Sequence, residues 1–305
     1  MKFSFSDVSL TPTHKIIKIG WLTIKLRHKN NLCISDPDLL PNLDKNSFVG
    51  FVPQMINSRI VFKGYNNILY CDEGVVLKDS ILKFSANNSI IYLGKNRHFY
   101  KIKINVYNNS AVHIGSDNYF NDVCHIICSE NKHIFIGNDN LFSINVVFRN
   151  ADPHLIYDIA NKHRINPTRS IYIGDHVWIG QNCYFLKGAH IHSGSILGTG
   201  SILSKEMESN SIYAGSPAKC IKENIFWKND SVHNWNRKKT KQNEICNKDE
   251  FIFTDTPEQY IDFNQLDMEL DKRDVQEKLE YLQFLNISAA KNRFSRKKYD
   301  KNPVK

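Results

Sequence analysis

The stretch "IYIGDHVWIGQNCYFLKGAHIHSGSILGTGSIL", Ile171 to Leu203, carries a large apolar residue at every sixth position: Ile173, Ile179, Phe185, Ile191, Leu197 and Leu203. Two residues before each stand Ile171, Val177, Cys183, Ala189, Ser195 and Ser201, a series that shrinks along the chain. In an extended chain, residues two apart point to the same side, so both columns are expected to face inward. Six residues with two inward positions suit one short strand and its turn. Three such sides close a triangular coil of roughly 18 residues, and successive coils stack at about 4.8 Å as parallel strands. Gly174, Gly180 and Gly198 each follow a large apolar residue directly. They are expected at tight corners, where a side chain or a negative φ is costly.

The pattern continues upstream in looser form. "IIYLGKN" (Ile90 to Asn96), "AVHIGSDNYF" (Ala111 to Phe120), "HIFIGNDNLF" (His133 to Phe142) and "IYIGDHVWI" (Ile171 to Ile179) align on their apolar-Gly step. The first two intervals are slightly longer than one coil and the last is near two. That added length holds "RNADPHLIYDIANKHRINPTRS", Arg149 to Ser170, an excursion from a rigid scaffold of the kind that usually carries function. The predicted organisation is a strand-rich cap over 1–65, a β-helix over 66–222 with its loop at 149–170, and a partly helical extension with a basic tail over 223–305. In that extension Val275, Leu279, Leu282 and Asn286 follow a helical spacing within an acid-rich segment from Thr256 to Ala290. The helix is expected to pack on the end of the prism or on a neighbouring copy.

At 305 residues and 41% apolar content, the chain can bury a substantial core. The start, "MKFSFSDVSLTPTHK", has no secretory pattern, and no apolar run is long enough to cross a bilayer. The cytoplasm is the expected compartment. Seven cysteines are scattered with no C-x-x-C pair and read as reduced thiols. The net charge of +9 is uneven: Lys291, Arg293, Arg296, Lys297, Lys298, Lys301 and Lys305 face only Asp300 at the C-terminus. Such a tail is either a solvated terminus or a contact for a polyanion.

"SIYIGDHVWIGQNCYFLKGAHIHSGSILGTGSILSKEMESNSIYAGSPAKCIKENIFW", Ser170 to Trp227, resembles the C-terminal part of the hexapeptide-repeat acetyltransferases. With "ADPHLIYD" and "RIN" upstream, it is similar to the bacterial O-acetyltransferases that modify capsular or lipopolysaccharide sugars, sialic acid capsules included. The resemblance implies a mainly β fold, a left-handed parallel β-helix of hexapeptide repeats with a C-terminal helical extension. The left hand comes from the resemblance alone, since ordinary connections favour the other. It further implies an acetyl-CoA-dependent O-acetyltransferase with no metal, acting as a homotrimer on a capsular polysaccharide. A nucleic-acid partner is not expected, and peripheral association with membrane-bound capsule machinery is compatible with it.

By the same resemblance, His154 is the general base that takes the proton of a sugar hydroxyl as its oxygen attacks the thioester. Imidazole suits this role because it titrates near neutrality, and base catalysis of this kind is worth roughly 10² to 10⁴ in rate. Trp178, outward between inward Val177 and Ile179, is implied by the resemblance to line the site beside the histidine; the alternative is an indole buried under a neighbouring copy. Asp152 either orients the imidazole or sets a turn before Pro153. The acetyl donor is expected along the last coils, at Gly180, Gly198, Gly200, Ser201, Ala214, Gly215, Pro217 and Ala218. Lys205, Lys219 and Lys222 are expected to meet its phosphates.

Other functions stay in view. A metal-dependent β-helix hydratase needs convergent histidines, and none of the twelve here forms an H-x-x-x-x-H pair. N-acetylation of an amino sugar, or O-acetylation of a lipopolysaccharide or nucleotide-linked sugar, would use the same coil. A non-enzymatic scaffold with a polyanion-binding tail is the remaining alternative.

Overall fold

The computed structural model describes residues 7–10, 14–19, 22–27, 32–36, 43, 45–287 and 289–296. Both hexad columns point inward: each of their twelve residues is at most 1% exposed. Parallel pairing stacks the coils in register, so that Leu93, Ile114, Ile136 and Ile173 are successive partners. The outcome is the left-handed β-helix, a solenoid of about seven turns.

The glycines that follow the large apolar residues have a different role from the one expected. Gly174, Gly180 and Gly198 are not in the left-handed region; the residues with positive φ lie further on, at His176, Asn182, Gly188, Gly194 and Gly200. What demands glycine is close approach between coils. A Cβ on Gly137 would stand 2.6 Å from the Gly174 carbonyl oxygen, and one on Gly115 would stand 2.7 Å from that of Gly137. The left-handed corners are mostly Asn and Asp, whose short polar side chains tolerate that conformation.

Each coil visits three faces in turn. One eight-stranded sheet includes Val147–Arg149 and Tyr184–Leu186. The chain then passes to a second eight-stranded sheet, with Ile171–Ile173 and His190–Ile191. It closes through a six-stranded sheet containing Trp178–Ile179 and Ile196–Leu197. These are called below the open, covered and indole faces. The parallel coils begin at Ser47–Gly50, which pairs with Ile68–Cys71, earlier than residue 66. Asp7–Leu10, His14–Ile19 and Leu22–Arg27 form an antiparallel sheet of their own.

The C-terminal extension packs on a flank of the prism, contrary to the expectation of an end. It contains α1 (Arg237–Gln242), α2 (Phe263–Asp271) and α3 (Val275–Ile287). Outward residues of the covered face form an aromatic ladder: Tyr70 stacks on Tyr92 at 4.3 Å, Tyr92 on His113 at 4.7 Å and His113 on Phe135 at 4.2 Å. Helices α2 and α3 bury this ladder under Phe263, Leu266, Leu270, Leu279 and Leu282. Asp262 caps α2, accepting from the Asn264 and Gln265 amides. The apolar face that a solenoid leaves bare is thus sealed by its own chain.

Residues counted above with the basic tail fasten this cover. Arg293 is fully buried, with Nε and Nη2 each 2.8 Å from a carboxylate oxygen of Asp175. The Ser193 amide donates to the Phe294 carbonyl at 3.0 Å, and Arg296 pairs with Glu206 at 2.9 Å. Removing 291–305 would therefore unfasten the fold rather than test polyanion binding. Lys297, Lys298, Lys301 and Lys305 lie outside the described residues.

The ladder also contains a titration handle. Burial, aided by the nearby Arg293 charge, pushes the His113 imidazole down to about 3. A depressed histidine favours the folded state above the unfolded value near 6.5, and that contribution is lost as pH falls from there towards 3. His113→Phe keeps the stack between Tyr92 and Phe135. Between pH 6.5 and 4.5, before most carboxylates titrate, the substitution is expected to remove up to about 1.4 kcal/mol per pH unit from the slope of stability against pH. Urea unfolding across that window measures it, and an unchanged slope would contradict the assignment.

Candidate active site

The loop between Arg149 and Ile171 leaves at the edge where the open and covered faces meet. Buried Asn150 anchors its exit, accepting from the Ser129 amide at 2.9 Å and donating to the Ser129 carbonyl at 3.2 Å. The return arm is held to Glu130, which accepts from Thr168 and pairs with Arg164, Nη2 to Oε2 at 2.9 Å. Those two donors hold the Glu130 carboxyl down to about 2. Between the arms the chain folds on itself, the Ile165 amide donating to the Ile156 carbonyl at 2.9 Å.

Asn166 organises the segment that bears His154. Its Nδ2 donates to the His154 carbonyl at 2.8 Å and to Asp152 at 3.2 Å, while its Oδ1 accepts from the Ile156 amide at 2.9 Å. Asp152 takes Lys187 Nζ at 2.5 Å, and this bond lowers its carboxyl below the usual range. The aspartate thus secures the loop to the next coil and makes no hydrogen bond to the imidazole. The His154 side chain is exposed and has no hydrogen bond to the described residues. Leu155, Ile156, Tyr157, Ile159 and Ile165 are exposed around it, an apolar patch of the sort that marks an interface.

Trp178 stands on the indole face, 41% exposed. It is in register with Leu141 below and Ile196 above. Its ring lies 5.9 Å from that of buried Trp227, which stacks on His176 at 4.1 Å. The Trp227 indole donates to the His176 carbonyl, and His176 Nδ1 lies 2.7 Å from Asp139. Most of the donor-site candidates belong to this face or to the corner after it. Gly180 and Gly198 close successive coils, and a Cβ on Gly198 would stand 3.0 Å from that of Ala214. Gly200 has open space where a side chain would be, and buried Ser201 accepts from the Gly215 amide at 3.1 Å. The face ends in an antiparallel hairpin, Ile212–Gly215 with Ala218–Lys222, around Pro217. Lys219 and Lys222 are exposed on it.

Lys205 falls elsewhere, between an open-face strand and a covered-face strand, on the same edge as the loop. The predicted residues therefore form two groups on one chain. His154, Asp152 and Lys205 share one edge; Trp178 and the glycine-rich coils occupy the opposite face. No hydrogen bond or ring contact links the loop to Trp178 among the described residues. Sequence reasoning missed Asn166, Lys187 and Glu130, the residues that shape the loop. Only Asn166 had a signal, in the "RIN" triplet.

One cluster has the composition of a cation site. His133, Asp267 and Asp271 offer ligand atoms within 4.8 Å of one another. Lys132 already pairs with both aspartates, at 2.8 Å from Asp267, and Ser170 and Tyr172 donate to Asp267 as well. The Lys132 ammonium already supplies positive charge to both carboxylates, and the cluster pins α2 to the prism.

A bacterial transferase hexapeptide (six repeats) model matches residues 170–205. The polysialic acid O-acetyltransferase of Neisseria meningitidis is 30% identical over 171 residues, 56% of this chain and 79% of that protein. The chain belongs to the bacterial hexapeptide-repeat acetyltransferases. Another relative, the polysialic acid O-acetyltransferase of Escherichia coli O1:K1 / APEC, is 35% identical over 101 residues, a third of each chain. The crystal structure of the polySia specific acetyltransferase NeuO superimposes with a TM-score of 0.56 at 29% identity, covering 65% of this acetyltransferase and 93% of NeuO. No helix among the described residues of this acetyltransferase is long and apolar enough to cross a membrane.

Proposed function

We propose that this acetyltransferase moves the acetyl group of acetyl-CoA to a hydroxyl of an acidic capsular polysaccharide, at sites shared between neighbouring copies. The relatives named above support the substrate class. The observation that carries the reading is the split of the candidate site: a loop bearing His154 on one edge and a bare, tryptophan-bearing strip on the opposite face. With the covered face sealed by α2 and α3, two unlike surfaces remain, and a closed ring of three joins each loop edge to the indole face of the next copy. That arrangement covers Trp178 and the exposed loop residues, and it builds a cleft that one flat-sided prism lacks.

In this reading the donor's extended arm lies along Gly180, Gly198 and Gly200, with Lys219 and Lys222 near its phosphates. His154 accepts the proton of the acceptor hydroxyl as that oxygen bonds to the thioester carbonyl carbon. The carbon–sulfur bond then breaks, and the departing thiolate takes the proton from the imidazolium, so the histidine is restored. Asn166 and Lys187 keep the loop in the shape that presents His154.

Incubation with radiolabelled acetyl-CoA and a panel of polysaccharides tests the reading. Label is expected on sialic acid polymers, in a base-labile ester. Label in a base-stable amide of an amino sugar would indicate N-transfer, and no transfer to any glycan would leave the scaffold alternative. Light scattering is expected to give three times the chain mass; an active monomer would overturn the shared site.

A further inference from the structure

A groove of about 730 Å³ runs along the same edge of the prism as the loop, towards the N-terminal coils. Its floor is a column of left-handed corner residues, one per coil: Asn66, Asn88, Asn109 and Asn131. Their amides are chained, Nδ2 to Oδ1, at 2.8, 3.1 and 2.8 Å. One wall is the junction of α2 and α3, with Arg273 and Lys278. The upper end reaches Pro167 and Thr168 on the return arm of the loop that carries His154.

Lys278 is the unusual member. It is 3% exposed, yet its ammonium makes one hydrogen bond, to the Asn109 carbonyl at 2.7 Å, and no ion pair among the described residues. An ammonium has three donors, and burying them unmatched is costly. The other charges of the groove are already engaged: Arg273 with Glu269, Lys132 with Asp271, Glu130 with Arg164, and Asp274 with the Gln276 and Glu277 amides, which donate to it at 2.9 Å.

We propose that this groove seats the non-reacting units of an extended, carboxylate-bearing glycan, with the reacting unit beyond Thr168 at His154. The inference rests on the transferase reading and assigns it a second contact surface. Amides repeated at about 4.8 Å over three steps give a donor and acceptor strip of about 14 Å, long enough to meet several sugar units through hydroxyl and acyl groups. The charges lining the groove balance, with Lys132, Arg273 and Lys278 against Glu130, Asp271 and Asp274. A row of phosphates is therefore poorly matched, whereas a single carboxylate finds its partner in Lys278.

The test is calorimetric titration of the full chain, without acetyl donor, with long sialic acid polymer, a short sialic acid oligomer and neutral dextran. Lys278→Met replaces a buried ammonium by an apolar group of similar length, a change that folds tolerate. It is expected to weaken long-polymer binding about tenfold, as loss of one charged hydrogen bond implies. Asn88→Gly keeps the left-handed corner and is expected to weaken it a few-fold. In turnover both variants should raise KM for long polymer and leave kcat and the KM for the short oligomer unchanged. Wild-type affinity in both variants would overturn the groove, as would equal binding of dextran. Groove-dependent binding without any acetyl transfer would keep the groove and remove the transferase; normal transfer with wild-type KM in both variants would do the reverse.

Discussion

Replacing His154 with alanine is expected to lower kcat by at least about 100-fold, the lower bound for loss of a positioned general base. The KM for acetyl-CoA and its directly titrated affinity should stay within about twofold, because a base acts in the transition state and not in donor binding. The expectation has a structural basis besides the resemblance. The imidazole has no hydrogen bond to the described residues, while the backbone on either side is fixed, by Asn166 at the His154 carbonyl and at the Ile156 amide. A side chain that merely braced the loop would be bonded to it. Steady-state kinetics beside a binding titration decides the matter, and a variant turning over like the wild type removes His154 from the mechanism.

Mixing two inactive variants should restore activity. His154→Ala leaves the indole face intact, and Gly198→Trp blocks the strip beside Ala214 while leaving the loop intact. If each site combines the loop of one copy with the face of the next, random reassembly of equal amounts makes about a quarter of the sites wholly native, because each half of a site is native in half of the chains. Recovery of roughly a quarter of wild-type activity after mild denaturation and reassembly is the expected result. A site contained in one chain gives none. Unmixed Gly198→Trp must still run at the same mass as the wild type, which separates a blocked site from a misfolded chain.

The solenoid was legible because its signal is strictly periodic and its physics is local. Six inward positions such as Ile173 and Phe185 need only their coil neighbours to explain them. The loop was legible as an interruption of that period. What escaped were relations across the sequence. Arg293 reads as one charge of a basic tail, and only the fold sets it against Asp175; Lys187 reads as a surface lysine, and only stacking brings it to Asp152. Tyr92, His113 and Phe135 look like outward residues of an ordinary face until α2 and α3 arrive. The corner chemistry was misread for a related reason. Glycine after an apolar residue suggests a turn, whereas here it marks the close approach of the next coil, visible only in three dimensions.

The order in which these parts leave the ribosome has a consequence of its own. Coils can stack one by one as they are synthesised, since each contacts only its neighbours. The aromatic ladder they build, from Tyr70 to Tyr172, waits for a cover that begins at Phe263 and is fastened by Arg293 and Phe294. At roughly 5 to 20 residues per second, the interval from Tyr172 to Phe294 lasts on the order of 6 to 25 s. Throughout it the nascent chain displays a long apolar stripe, so this protein should depend on holding chaperones more than its regular architecture suggests. A chain stopped at residue 250 is expected to bind apolar dyes strongly and to aggregate, while the full chain does neither. Equal dye binding by the two would mean that the stripe closes without its cover.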